Sequence, residues 1–368
     1  MRVSIRPSQG APSRGEDKRV RVLFLTLYPE PAASPRYRVM QFLPHLRANG
    51  IECVVAPALT AEQYARYSER AKNGSAAGYH VAEFVRRVGQ ILGARSFDLV
   101  FVQKAILSVY VKRLSALLSW RARKVVYDID DAVNVAAPNR LTGIWSRLED
   151  PGQINKVMAA SELVLAGNEW LRSVAEAAGA HAELFPTVVD TERFVPTDDS
   201  PERFTVGWMG NPSTCEHLNA IGDVLEGLDE AEVRVIGGDA NRMAISGAAH
   251  AAWRLESEVA ELQRFSVGVM PLPKDEWSRG KCALKALQYM ACGVPCVATP
   301  FGAVRSIIEH EKNGLFADSP EEWIQAFDRL RDDGYRATLG AAARETVVKS
   351  FSLHSAAPRL VELLRSVA

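Results

Sequence analysis

Within residues 277–293, WSRGKCALKALQYMACG, the cations Arg279, Lys281 and Lys285 gather with Gly280 at the start of a segment. Its Leu284, Leu287, Tyr289, Met290 and Ala291 read as a packed helix closed by Gly293. Cations stabilise the opposite end of a helix, where the backbone dipole is negative, so at the start they call for an anion beside them. A bound phosphate answers that need, and a basic face turned to solvent is the plain alternative.

Three other stretches carry groups of the right kind. GWMGNPST (207–214) leaves a strand and leads into a helical pattern at Leu218. Gly210 and Asn211 let backbone N–H groups approach an anion there, and Ser213 or Thr214 would cap the helix; a simple capped turn is the alternative. SPRYR (34–38) places Arg36 and Arg38 where a helix opens, suited to a phosphate or carboxylate. In YDIDD (127–131), Asp128, Asp130 and Asp131 end a strand, and alternation points Asp128 and Asp130 the same way. These are candidate bases or binders of an acceptor hydroxyl, though Asp131 could serve only as a cap. Gln103 and Lys104 end a further strand.

Metal chemistry finds little footing. No other carboxylate completes a magnesium set around the aspartates. The five cysteines, at 53, 215, 282, 292 and 296, show neither zinc spacing nor neighbouring histidines. We therefore expect no metal and no cofactor.

The elements that must hold these loops follow a βα rhythm. Apolar runs at 21–27, 51–57, 98–103, 124–129, 161–166 and 182–186 are separated by helical patterns, one of them over 36–49. After a polar Pro, Asp and Ser stretch at 195–203 the rhythm restarts, with strands expected at 204–208, 233–238, 265–272, 294–299 and 314–317. Strands alternating with helices form parallel sheets covered on both faces, and ligands bind at the carboxyl ends of their strands. The expected organisation is a disordered tail over 1–20, a Rossmann-like domain over 21–195, a second over 203–350, and a terminal amphipathic helix over 351–368.

Composition narrows the function. The 368 residues exceed the roughly 250–300 at which one core stops growing, which supports two domains. With 44 basic and 44 acidic side chains the chain is neutral, which argues against a nucleic-acid partner and requires any anion to be gripped locally. Residues 286–304 are uncharged, but Gly293, Pro295, Pro300 and Gly302 would break a membrane-spanning helix. An odd cysteine count and an N-terminus without an apolar signal segment point to a cytoplasmic protein.

Taken together, GWMGNPST, VGVMPL, GKCALKALQYMACGVPCVAT and NGLFA, with SPRYRVMQFLPHLRANGIE, VVYDIDDAV, AGNEWL and FPTVVDTERF in the first half, resemble GT-B glycosyltransferases of family four, the group 1 transferases. The resemblance implies two Rossmann-like domains facing across a cleft. It implies transfer of a sugar from a nucleotide-diphosphate donor to a hydroxyl of a glycan, lipid-linked sugar or small molecule, with retention and without a metal. The second half would bind the donor. Backbone N–H groups near Cys282, Ala283 and Leu284 would hold its diphosphate beside Gly210, Asn211, Ser213, Thr214 and Arg279. Many members carry Arg and Lys after the first strand of this half, where Gly210, Asn211 and Glu216 stand here, so Lys281 and Lys285, with Arg279, would take over neutralising the leaving group. The first half would bind the acceptor through Arg36, Arg38, Lys104 and Asp131, with Asp130 as its catalytic carboxylate. The last helix would pack back on the first domain.

Two positions depart from the family pattern. Gly280 and Gln288 stand where many members carry glutamates, the first toward the donor sugar and the second toward the ribose. Gln288 retains hydrogen-bonding capacity, and Gly280 has none in its side chain. The substitution motivates an alternative, a non-catalytic nucleotide-sugar binder of the same fold.

Overall fold

The computed structural model describes residues 19–70, 77–135, 143–199, 201–212 and 214–368. The expected tail falls almost wholly outside these residues, as does Ser213.

The first half runs β1 (Val20–Thr26), α1 (Ala33–Arg38), α2 (Leu43–Ala48), β2 (Ile51–Pro57), α3 (Ala61–Arg70), α4 (Ala77–Gly93), β3 (Leu99–Gln103), α5 (Leu114–Arg121), β4 (Val125–Ile129), α6 (Gln153–Ala159), β5 (Leu163–Ala166), α7 (Glu169–Ala177) and β6 (Ala182–Leu184). The second runs β7 (Phe204–Gly210), α8 (Gly222–Glu226), β8 (Ala231–Gly237), β9 (Ala249–Ala251), α9 (Glu258–Leu262), β10 (Val267–Met270), α10 (Glu276–Arg279), α11 (Leu284–Ala291), β11 (Cys296–Ala298), β12 (Leu315–Phe316), α12 (Pro320–Leu330), α13 (Asp333–Ser350) and α14 (Leu353–Val367).

The strands form two parallel six-stranded sheets, ordered β2-β1-β3-β4-β5-β6 and β12-β11-β10-β7-β8-β9. The fold is α/β, with two Rossmann-like domains. Each sheet reverses direction at one place, between β1 and β3 and between β7 and β10. Loops leaving the two strands at such a switch diverge to opposite faces and open a crevice. Residues 28–34, 104, 210–211 and 271–281 follow these four strands, which is why the candidate groups cluster.

The sequence expected one helix over 36–49, and the structure breaks it after Arg38. Val39 leaves helical geometry at φ −131°, and α2 restarts with Pro44 in its first turn. A continuous helix would have put that proline, which has no N–H, in its interior. β9 escaped the sequence reading because Ala-His-Ala lacks the β-branched and aromatic residues that mark strands. Uncharged residues 286–304 resolve into the end of α11, a turn at Gly293 (φ +72°), β11 and a loop. Among the described residues no helix is long and apolar enough to cross a membrane.

The domains interlock. Tyr37, from the first, is buried among Met209, Ala286 and Tyr289 in the core of the second. Cys282, from the second, joins the core of the first with Ile129 and Ala166. α14 crosses back, burying Leu353, Ala357, Leu360, Val361 and Leu364 against β1, α2 and Phe185. Full burial of such side chains contributes on the order of 1.5–3 kcal/mol each.

A candidate active site between the two domains

A cavity of about 280 Å³ opens between the domains. Its walls include Ser34, Arg36, Arg38, Lys104, Asp130 and Asp131 from the first domain, and Gly210, Asn211, Lys281, Cys282, Ala283, Leu284, Lys285 and Gln288 from the second. Thirteen of the candidates named from sequence thus share one space. Thr214, Arg279 and Gly280 do not line it.

On the second-domain side, α11 supplies the positive end of its dipole. Its N-cap, Ala283, is left-handed at φ +54°, a conformation that costs an L-residue about 1 kcal/mol or more. First-turn N–H groups have no acceptor within a helix, so this end presents donors as well as charge. Lys285 lies in that first turn, with its Nζ 5.3 Å from the centre of the Trp208 ring. Among the described residues no carboxylate forms a salt bridge with it. Burial, with Lys281 close by, lowers its pKa to about 8. Gly210 makes room for its stem, because a Cβ there would sit 2.6 Å from the Lys285 Cε.

Lys281 is arranged differently. Its Nζ lies 3.0 Å from Asp131 Oδ1, and Lys104 Nζ lies 2.9 Å from Asp131 Oδ2. Burial opposes the Asp131 charge, but the two ammonium groups outweigh it and hold its pKa down to about 2. Burial likewise works against the Lys104 ammonium, and Asp131 with Asp130 more than offsets it, so its pKa is raised. Asp131 is therefore the centre of a Lys–Asp–Lys chain across the cleft. It does not cap a helix, and its oxygens are not free for an acceptor.

Asp130 faces the cavity beside them. It accepts hydrogen bonds from the Ser34 hydroxyl and, at 3.4 Å, from Gln103 Nε2, which also donates to Ser34 Oγ at 2.6 Å. Asp128 and Asp130 do point alike, toward Ser34 and Arg38 on α1.

Several expectations need correction. Arg36 and Arg38 fall in the last turn of α1, because that helix begins at Ala33 and stops at Arg38. Their charges complement its dipole, so their place in the helix does not by itself call for an anion. Arg38 is not an acceptor-binding group: fully buried, it grips Asp128 through Nε and Nη2 and donates to the Phe185 carbonyl at 2.8 Å. Burial opposes the Arg38 charge, yet Asp128 holds the guanidinium protonated and raises its pKa. Arg279 is exposed and lies over the Phe301 ring at 5.4 Å, at the end of α10. Thr214 makes no side-chain cap; its hydroxyl donates to the Asn211 carbonyl at 3.2 Å.

Gly280 is where the domains touch most closely. A Cβ there would lie 2.6 Å from the Ala132 backbone nitrogen, so no side chain fits without moving the domains apart. Gly167 is equally constrained, since a Cβ would meet Cys282 Sγ at 2.4 Å. Asn168 fastens the same seam by donating to the Arg279 and Lys281 carbonyls at 3.3 and 3.2 Å. The absent glutamate at 280 is thus a condition of this close packing.

The largest omission of the sequence reading is Glu258, a buried carboxylate in the cavity wall. Its Oε1 accepts from Trp253 Nε1 at 3.1 Å and Gln288 Nε2 at 3.2 Å, and its Oε2 from Arg193 at 2.7 Å. Gln288 also donates to the Tyr37 hydroxyl at 2.8 Å. Arg36 approaches Glu258 only at 3.5 Å, and its Nε and Nη1 are buried without a hydrogen-bond partner. A glutamate opening a five-residue helix reads in sequence as a dipole partner, so nothing there flagged Glu258. Among the described residues no group of three or more His, Cys, Asp or Glu side chains is placed to hold a metal ion.

Two facing Rossmann-like domains with their switch-point loops on one cavity define a GT-B fold. HepE of Anabaena, solved with UDP-glucose, superposes at a TM-score of 0.68 with 13% identity, covering 94% of this chain and 99% of that one. Sucrose-phosphate synthase of Thermosynechococcus elongatus gives 0.67 at 14% identity, over 95% and 99%. Residues 204–333 match the family described as "Glycosyl transferases group 1". N-acetyl-alpha-D-glucosaminyl L-malate synthase of Bacillus anthracis is 34% identical over 99 residues, 26% of this chain. D-inositol 3-phosphate glycosyltransferase of Corynebacterium urealyticum is 31% identical over 115 residues, 30% of this chain. The matched segments span only about a quarter of these relatives, 25% and 26% of their lengths.

Proposed function

We propose that the protein is a glycosyltransferase that moves a sugar from a nucleotide-diphosphate donor to an acceptor hydroxyl, with retention and without a metal. The observation that carries this reading is Lys285, an ammonium in the first turn of α11 without a salt bridge among the described residues, lining the same cavity as Asp130 from the other domain. A diphosphate supplies the missing charge, and the fixed dipole with Lys281 stabilises what develops as the sugar leaves. UDP-glucose bound to HepE supports a donor of this class.

The acceptor hydroxyl would rest on Asp130, held in place by Ser34 and Gln103. Arg36, with two unpartnered N–H groups, suits an acceptor bearing a carboxylate or phosphate. The names of the two relatives above contain malate and inositol 3-phosphate, both anions. Asp131, Lys104 and Arg38 would shape this side without touching the acceptor.

The test is calorimetric titration with UDP, GDP, ADP and dTDP, then transfer assays with the sugars of the tightest base, the product anomer read by NMR. Bound diphosphate favours the protonated Lys285, whose free pKa is about 8. Binding should take up a proton above pH 8, and affinity should fall as pH rises through that value, by up to about tenfold per unit. The Lys285→Arg variant should lose the dependence. Tight binding with neither transfer nor donor hydrolysis across the panel would favour the non-catalytic binder.

A further inference from the structure

α4 is inside out. Its inward face carries Glu83 and Arg87, at 1% and 0% exposure, while Val81 and Val85, at 65% and 64%, look outward with Phe84 and Leu92. The buried charges are satisfied. Glu83 accepts from the Ser108 N–H at 2.6 Å, and Arg87 donates to the Thr26, Ala56 and Ile106 carbonyls at 2.6, 3.1 and 2.8 Å. The core thus gives a reason for the polar face and none for the apolar one. Positions 81, 84, 85 and 92 share one side of a helix and form a stripe about 16 Å long.

Neighbouring α5 extends this surface with Trp120, 72% exposed. Arg121 joins the helices, donating to the Leu92 carbonyl at 2.5 Å while its guanidinium lies 5.2 Å from the Trp120 ring centre. Charge is just as uneven. Residues 77–124 hold nine Lys and Arg but only Glu83 and Asp98 as acids, in a chain neutral overall. Glu83 is buried and Asp98 pairs with Arg123 at 3.6 Å, whereas Arg95, Lys112, Arg113 and Lys124 are exposed.

We propose that the α4–α5 face docks on an anionic lipid bilayer, the apolar stripe and Trp120 entering the headgroup boundary while the basic ring meets lipid phosphates. Exposed aliphatic side chains, an interfacial tryptophan and a surplus of cations are the combination such a surface binds. A second copy of the chain fits less well, because it would press two basic faces together. This inference is independent of the donor chemistry.

The test is sedimentation of the full chain with phosphatidylcholine vesicles, with and without about 30 mol% phosphatidylglycerol. Binding should require the anionic lipid and fall about tenfold or more in about 0.5 M salt. It should fall as much in the V85D/W120S and R113E/K124E variants, whose thermal melts and UDP binding should match wild type. Failure of the wild type to bind anionic vesicles, or equal binding by both variants, would overturn the proposal. So would a concentration-dependent dimer abolished by V85D/W120S in a protein that ignores vesicles.

Discussion

Replacing Lys285 with methionine lowers kcat/KM by about 10²–10³, some 2.7–4 kcal/mol of transition-state stabilisation, while raising the thermal midpoint. The two effects have one cause. In the free protein the ammonium is desolvated, crowded by Lys281 and, among the described residues, without a carboxylate in salt-bridge range. Removing it relieves the fold and strips the cavity of the charge proposed to meet the diphosphate. Methionine preserves the stem that lies under Gly210. Lys281→Met should cost activity less, about tenfold, because that ammonium already answers Asp131. Steady-state kinetics beside calorimetry check both. A Lys285→Met enzyme of undiminished turnover would remove the site from α11.

The largest effect on stability is expected from Arg38→Met. Asp128 would be left buried beneath the cavity, its bidentate partner gone, at a cost of about 3–5 kcal/mol. At about 2–4 °C per kcal/mol for a domain of this size, the midpoint falls on the order of 10 °C. Without the guanidinium, burial acts unopposed on Asp128 and pushes its pKa further up. The sign follows. Above the raised pKa the variant carries the full penalty, and as pH falls from there toward the ordinary carboxylate range the carboxyl is neutralised and the deficit shrinks. Scanning calorimetry near neutral pH and near pH 5 measures this. Were Arg38 an acceptor ligand instead, the variant would lose transfer activity and keep its midpoint.

How far the sequence led is visible in particular residues. Lys281, Lys285, Asp130 and the β7 loop were legible because dipole sense and strand ends are local properties, and the switch-point topology gathers strand ends. Arg38 misled because its meaning depends on where α1 starts and stops, and that helix runs from Ala33 to Arg38. Gly280 read as a missing catalytic group; its reason is the Ala132 backbone, 148 positions away and on the other domain. Glu258 and the free N–H groups of Arg36 were invisible for the same reason. Both acquire meaning only when Trp253, Gln288 and Tyr37 converge from separate elements.

Tyr37 and Cys282, each seated in the other domain's core, bear on the timing of a catalytic cycle. A cavity of about 280 Å³ lies at the lower edge of small-ligand pockets, and on the proposed reading a donor as large as a sugar nucleotide would enter and leave more readily with the domains parted. Parting them withdraws a phenol from an apolar core, separates it from Gln288 and unlinks Lys281 from Asp131. On that reading the chemistry would be framed by a mechanical step at the seam between the lobes, once on entry and once on exit.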